Sequence, residues 1–283
     1  MKIAITYFLG MMSIASCHDK SATGSPTLPP QTINNVAYGS DPKQKMDVYL
    51  PAGRNTTGTK VIVLIHGGAW NQGDKSDFSS QLDTLKKRLP GYAIFNINYR
   101  LVSGTANRFP AQEEDTRSAI NFIYSKKNEY QISDDYVLLG ASAGAHLGLL
   151  YAYKNTSPVK VRAVVDFFGP AQLTDLYNST ANPLIPLLLQ TVTGGTPLTH
   201  AALYAQSSPQ DFVTAQSPPT IILHGGVDGV VPFSQSANLK NALQSAGVPH
   251  EYVFYPNEDH GWSGVSLTDS YTRIVAFLQE HVD

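Results

Sequence analysis

The sequence predicts an α/β fold: a mostly parallel, twisted sheet with helices on both faces and a small cap inserted in its second half. Three observations point there. Continuous apolar runs of strand length alternate with amphipathic segments of helix length, the pattern of strands covered on both faces. One such run, "VLLGASAGAH" at 137–146, passes from strand to helix within four residues. The alternation is interrupted once, at 170–215, where "NPLIPLLLQTVTGGTP" is apolar but broken by prolines. A chain of 283 residues suffices for one large domain or two small ones, and 42% hydrophobic with only 15% charged residues suits a large core.

The elements follow in order. "NVAYG" and "KMDVYLP", joined through Gly39, Ser40 and Asp41, read as an antiparallel hairpin at a sheet edge. "KVIVLIHGG" (60–68) is a buried strand ending in glycines. "FSSQLDTLKKRLP" is helical, with Leu82, Leu85 and Leu89 on one face, and "GYAIFNINYR" is another buried strand. After Pro110, "AQEEDTRSAINFIYSKKNEY" is an amphipathic helix. Val137, Leu138 and Leu139 form the strand before the sharp turn, and Ala143 to Tyr153 the helix after it. "VRAVVDFFG" (161–169) and "PTIILHGGVD" (219–228) are strands. "SQSANLKNALQSAG" is a helix ended by Gly247, "HEYVFYP" a strand and "SYTRIVAFLQEHV" the last helix. The 170–215 interruption reads as a cap over the mouth of a site, because Leu184, Leu187, Leu188 and Leu189 need a surface to cover.

The ends of the chain carry a different message. Residues 1–17, "MKIAITYFLGMMSIASC", have the form of an export signal: Lys2 before an apolar stretch, Ile3 to Ile14, too short to span a bilayer stably. It ends in Ile14-Ala15-Ser16-Cys17, which resembles a bacterial lipobox, and Cys17 is the only cysteine. An exported protein lipidated on Cys17 is expected, held at a membrane only by that anchor, and an intramolecular disulfide is impossible. Residues 18–31, rich in Pro, Ser and Thr, read as a tether, leaving 32–283 as the α/β domain. A net charge of −2 offers nucleic acid no electrostatic footing.

The chemistry starts at Ser142. Gly140 and Gly144 flank it in the pattern Gly-x-Ser-x-Gly, whose strand–turn–helix setting is that of a nucleophile elbow. A serine hydroxyl near neutral pH needs a base, and the base an orienting acid. Ligands of such sheets sit beyond the carboxyl ends of the strands. There stand Asp228, one short loop after "TIILHGG", and His260, in "NEDHGW" after the last strand. Glu258 and Asp259 are rival acids, but as chain neighbours of His260 they cannot easily reach behind its ring. His146, one helical turn past Ser142, is read as a packed core histidine, His224 as a loop brace and His66 as a holder of its own loop. The "HGGAW" stretch, with Gly67 and Gly68, offers backbone N–H groups to an oxyanion beside that of Ala143. Nothing in the set asks for a cofactor or a metal ion.

"MDVYLP", "VLIHGGAW", "NINYRL", "FPAQEEDTRSAINFI", "GASAGAHL", "LHGGVDGVVP" and "EYVFYPNEDHGW" together resemble the α/β-hydrolase esterases grouped with hormone-sensitive-lipase-like enzymes. They are most similar to the bifunctional carbohydrate acetyl and feruloyl esterases of polysaccharide-degrading bacteria. The resemblance spans roughly 35–282 and implies an α/β-hydrolase fold. It implies Ser142 as nucleophile, Asp228 as acid and His260 as base. It further implies Gly68, Ala69 and Ala143 as backbone oxyanion donors, with Gly67 shaping the loop. One departure is Ala69, where the lipase-like branch often has glycine, followed by Trp70, a pattern closer to carbohydrate esterases and arylformamidases. The expected substrates are small-molecule or carbohydrate esters with short acyl chains, acetyl or feruloyl on a sugar. Trp70 would line the substrate site and crowd anything beyond the first acyl carbons. An arylformamidase or small peptidase of the same fold is the alternative. A non-catalytic binding module typically lacks the serine or the histidine, and neither is missing.

Overall fold

A computed structural model describes residues 28–154 and 158–282. The signal-like segment, Cys17 and the tether up to residue 27 lie outside the described residues.

The described residues form an eight-stranded sheet in the order β1-β2-β4-β3-β5-β6-β7-β8. Its strands are β1 (Gln31–Ala37), β2 (Lys45–Leu50), β3 (Lys60–Ile65), β4 (Tyr92–Ile97), β5 (Asp135–Ala141), β6 (Lys160–Phe167), β7 (Thr220–Gly225) and β8 (His250–Tyr255). β1 and β2 pair antiparallel, as do β2 and β4, and every other pair is parallel. The helices are α1 (Ser79–Arg88), α2 (Ala111–Ser125), α3 (Lys127–Tyr130), α4 (Ala143–Lys154), α5 (Leu173–Ser179), α6 (Leu184–Thr193), α7 (Ala201–Gln206), α8 (Ser234–Ser245) and α9 (Gly264–His281).

Alternation along the central strands shows why they read as unbroken apolar runs. Val61, Val63 and Ile65 of β3 and Leu138 of β5 enter one core, whereas Ile62, Leu64, Val137 and Leu139 enter another on the opposite face. Each residue is covered whichever way it points, as parallel strands require. α1 and α9 cover one face through Leu82, Leu85, Ile274 and Leu278. α2 and α4 cover the other through Ile120, Ile123, Leu147 and Leu150, and α8 joins on that side of β7 through Leu239.

Several features differ from the expectation; the helix expected from Ala111 to Tyr130, for one, is split at Lys126 into α2 and α3. β1 takes in Gln31, the last residue of the expected tether, and the chain just before it is held by the N–H of Gly53 donating to the Leu28 carbonyl at 2.8 Å. The final helix starts at Gly264, six residues before Ser270, and its added first turn extends the apolar stripe to Leu267, which packs against the core and also lines a cavity. The 170–215 insertion holds α5, α6 and α7 and closes over the carboxyl ends of the strands. Leu189 is buried and Leu188 half-buried, but Leu184 and Leu187 are 67% and 59% exposed. α6 turns those two outward, so the run of leucines is not wholly spent on covering the sheet.

The insertion is fixed to the body at several points. Phe109 N–H donates to the Val192 carbonyl, and the Asn182 amide to the Gly229 carbonyl beside Asp228. Gln235, buried on α8, accepts from the N–H groups of Ala171 and Gln172.

Candidate active site

β4 lies on one side of β3 and β5 on the other, so successive crossovers diverge at this point and leave a crevice above the strand ends. Gly67 follows β3 into that crevice and Ser142 follows β5.

The turn at Ser142 accounts for both flanking glycines. A Cβ on Gly140 would stand 2.4 Å from the nitrogen of Ala145, and one on Gly144 2.0 Å from the carbonyl oxygen of Ile65. Neither fits, because strand and helix are packed backbone to backbone. Ser142 itself has φ +52°, a left-handed conformation that costs a non-glycine residue of order 1 kcal/mol or more. Its N–H donates to the Phe167 carbonyl and its carbonyl accepts from His146, so the elbow is held from both sides.

Ser142, His260 and Asp228 come together in a line. The Ser142 hydroxyl lies 2.9 Å from His260 Nε2, and His260 Nδ1 lies 2.8 Å from Asp228 Oδ2. A carboxylate only accepts, so Nδ1 carries the proton and Nε2 presents a lone pair to the serine. Asp228 is buried, which alone would raise its pKa. Hydrogen bonds with His224 and His260 and from the Val231 N–H outweigh burial and hold the carboxyl well below the usual carboxylate range. Its Oδ1 accepts from Val230 and Val231 N–H at 2.8 Å each. Glu258 and Asp259 stand elsewhere: Glu258 accepts from the Ser266 hydroxyl, and Asp259 from the backbone of His260 and Gly229.

Three further histidines, His224, His66 and His146, are held in structural hydrogen bonds. His224 Nε2 must donate, since Val231 O at 2.9 Å can only accept, and the same N–H lies 3.3 Å from Asp228 Oδ2. His224 thus braces Asp228. His66 donates through Nδ1 to the Gly67 carbonyl at 2.7 Å and stacks on Tyr99. Burial pushes its pKa down. His146 is fully buried; it accepts from Trp70 Nε1 and donates to the Ser207 carbonyl. Burial brings its pKa down to about 4.

The loop after β3 lies against the elbow. A Cβ on Gly67 would be 2.9 Å from the Ala141 carbonyl oxygen and 3.4 Å from Ser142 Cβ, so a side chain there would press into the Ser142 turn. Gly68, Ala69 and Trp70 all have positive φ. The Gly67 carbonyl accepts from His66 and from the Tyr99 hydroxyl, and the Gly68 carbonyl from Asn71 and Gln72. In a trans peptide N–H and C=O point oppositely, so the N–H groups of Gly68 and Ala69 face away from those partners. Ala143 begins α4, at the positive end of the helix dipole.

One cavity is lined by Ser142 itself, and a second meets the chain neighbours of Ser142 and His260, at Ala141 and Gly261. The first, of about 20 Å³, is lined by Ser142, Ala69, Trp70, Pro170, Leu188 and Val231, among others. Trp70 closes it from a buried position, fixed by its bond to His146 and an edge contact with Phe109. The second, of about 190 Å³, lies toward His260 and is lined by Gly67, Ala141, Phe168, Gly261, Trp262 and Tyr271, among others.

Phe168 belongs to the site although sequence reasoning passed over it. Its ring lies 4.7 Å from that of His260, at φ +45°. Asp166 sustains this turn: its Oδ1 accepts from the Gly169 N–H at 2.7 Å, and burial pushes the carboxyl up to about 7. The available signal was "DFFGP", a polar residue and a glycine closing an otherwise apolar strand.

Sheet order, elbow and the Ser142–His260–Asp228 line define an α/β-hydrolase fold. Residues 46–243 match the BD-FAE family, and the chain belongs to that family. It is 28% identical over 242 residues to the probable carboxylic ester hydrolase LipM of Mycobacterium tuberculosis (strain ATCC 25618 / H37Rv), covering 81% of this chain and 56% of that protein. It is 25% identical over 261 residues to the esterase LipC of the same organism, covering 87% and 64%. The chain therefore spans less than two thirds of the length of these curated relatives. Among solved structures, a truncated form of a carbohydrate esterase from gut microbiota superposes with a TM-score of 0.77 at 28% identity, covering 88% of this chain and 95% of that one. The acetyl ester-xyloside bifunctional hydrolase of Caldicellulosiruptor lactoaceticus, at 20% identity and TM-score 0.71 over 83% and 87% of the two chains, shares the fold.

Proposed function

We propose that this chain is a serine carboxylesterase that hydrolyses short-chain acyl esters, acetyl esters of carbohydrates foremost. The observation that carries the reading is the continuous line from the Ser142 hydroxyl through both nitrogens of His260 to Asp228, at 2.9 and 2.8 Å. Family membership and the esterase names among the relatives support it.

In this mechanism Ser142 Oγ attacks the ester carbonyl while His260 Nε2 takes its proton. Asp228 holds the imidazolium by its Nδ1–H. The carbonyl oxygen becomes an oxyanion, met by the N–H groups of Ala143, Gly68 and Ala69, with Gly67 keeping the loop close to the elbow. On collapse the acyl–oxygen bond breaks, and His260 Nε2–H protonates the departing alcohol oxygen. Water then enters, gives its proton to His260 and attacks the acyl-enzyme. The acid leaves and Ser142 regains its proton. The cavity of about 20 Å³ beside Ser142 favours acetyl as the acyl group, and Trp70 is the wall that limits it. Export and a lipid on Cys17 belong to the same reading, on the strength of the "IASC" sequence.

A fluorophosphonate probe tests the nucleophile. The wild-type chain should be labelled on Ser142 and hydrolyse p-nitrophenyl acetate. Ser142→Ala should take no label and lose on the order of 10⁴-fold or more in kcat without loss of thermal stability. Undiminished hydrolysis by Ser142→Ala would refute the assignment.

A further inference from the structure

The mechanism above uses only the smaller of the two cavities. The larger, about 190 Å³, begins at Gly67, Ala141 and Gly261, which adjoin the oxyanion loop, the nucleophile and the base in the chain. Beyond them its wall is aromatic: Phe78, Phe168, Trp262 and Tyr271. Phe168 touches both the His260 ring, at 4.7 Å, and the Trp262 ring, at 5.3 Å, so the aromatic wall is continuous with the base. Besides the polar atoms of Trp262 and Tyr271, the polar side chains of the lining are Asp77, which is exposed, and Gln81, which is half-buried. Such a cavity binds a six-membered ring by an apolar face, and a few edge donors and acceptors fix its orientation.

Chemistry sets which half of an ester lies there. The proton that frees the alcohol comes from His260 Nε2, so the leaving oxygen and its substituent lie on the His260 side of Ser142. The aromatic cavity is on that side, and the cavity of about 20 Å³ takes the acyl group. We propose that the aromatic cavity is the site for the ring of the leaving alcohol: the sugar ring of a carbohydrate ester, lying on Phe168 and Trp262 with its hydroxyls toward Asp77 and Gln81. This rests on the esterase reading and extends it from the acyl group to the alcohol.

Filling the cavity tests the assignment. Leu267→Trp enters from α9 and Gln81→Trp from α1, both at half-buried positions. The measured quantity is kcat/KM for methyl 2-O-acetyl-xylopyranoside divided by that for methyl acetate. Both esters pass through the same acetyl-enzyme, so the ratio isolates the alcohol. It should fall about tenfold or more in both variants. Gln81→Ala should lower the acetyl-xyloside ratio and spare the corresponding ratio for phenyl acetate, whose ring has no hydroxyls. An unchanged acetyl-xyloside ratio in both tryptophan variants, with melting temperatures near wild type, overturns the proposal. A loss confined to phenyl acetate overturns the sugar assignment. A loss confined to methyl ferulate places the acyl ring in the cavity instead. No turnover of any ester by the wild-type chain would refute the esterase reading itself, a separate outcome.

Discussion

Leu188→Ala should move the acyl preference from acetyl toward butyryl. Leu188 forms part of the wall of the cavity of about 20 Å³ beside Ser142, which has room for about one water-sized group. That suits the methyl of an acetyl group and leaves no place for a longer chain, because Trp70 is buried and fixed behind it. Truncation to alanine removes the branched end of the leucine and opens that wall. A butyryl group then buries two further methylenes at about 0.8 kcal/mol each, so the butyryl-to-acetyl ratio of kcat/KM should rise about 15-fold. Leu188 is only half-buried, so the stability cost should stay below the roughly 2–5 kcal/mol typical of a fully buried leucine. The assay is kcat/KM on p-nitrophenyl acetate, butyrate and octanoate for wild type and variant, with melting temperatures alongside. A wild-type maximum at octanoate, or an unchanged profile in the variant, would refute the assignment of this cavity to the acyl group.

Two further predictions rest on the same geometry and a third on the N-terminal sequence. In Asp228→Asn the amide oxygen should keep the Val230 and Val231 N–H bonds, which turns the NH₂ toward His260 and forces the imidazole proton onto Nε2. Loss of about 10⁴ in kcat is expected from the wrong tautomer, and near-normal turnover would show that the carboxylate does not set it. His146, with its pKa lowered to about 4, stays neutral in the fold while the unfolded chain takes up a proton below about 6.5. Stability should therefore fall as pH drops from about 6.5 toward 4, by up to about 3 kcal/mol from this group. Urea midpoints across that window should be flatter in His146→Gln, and an equal slope would exclude His146 as the source. Cys17→Ser should release an active enzyme from membranes; a wild-type chain that already stays in the aqueous phase on detergent partitioning would rule out the anchor.

The strands, the elbow and the identity of the three aligned side chains were readable because each has a local cause. A parallel strand covered on both faces leaves an unbroken apolar run such as Val61–Ile65. A strand that meets its helix backbone to backbone demands glycine at 140 and 144. Asp228 and His260 could be chosen because both follow strands, and strand ends meet in this fold. Other features have no such local mark. Phe168 stands against His260 where Asp166 holds the turn at Gly169 and the Phe168 N–H donates to the Leu223 carbonyl. Leu184 and Leu187 face outward because α6 packs through Ile185, Leu189 and Val192 instead. The aromatic cavity draws its wall from the end of β6, from α9 and the loop before it, and from α1 and the turn before it, far apart in the chain, and its size depends on how those elements pack. Periodicity and turn chemistry act within a few residues, so the sequence by itself determined the fold and which three side chains align. The volumes of the two cavities arise between elements, and only the tertiary structure decided them.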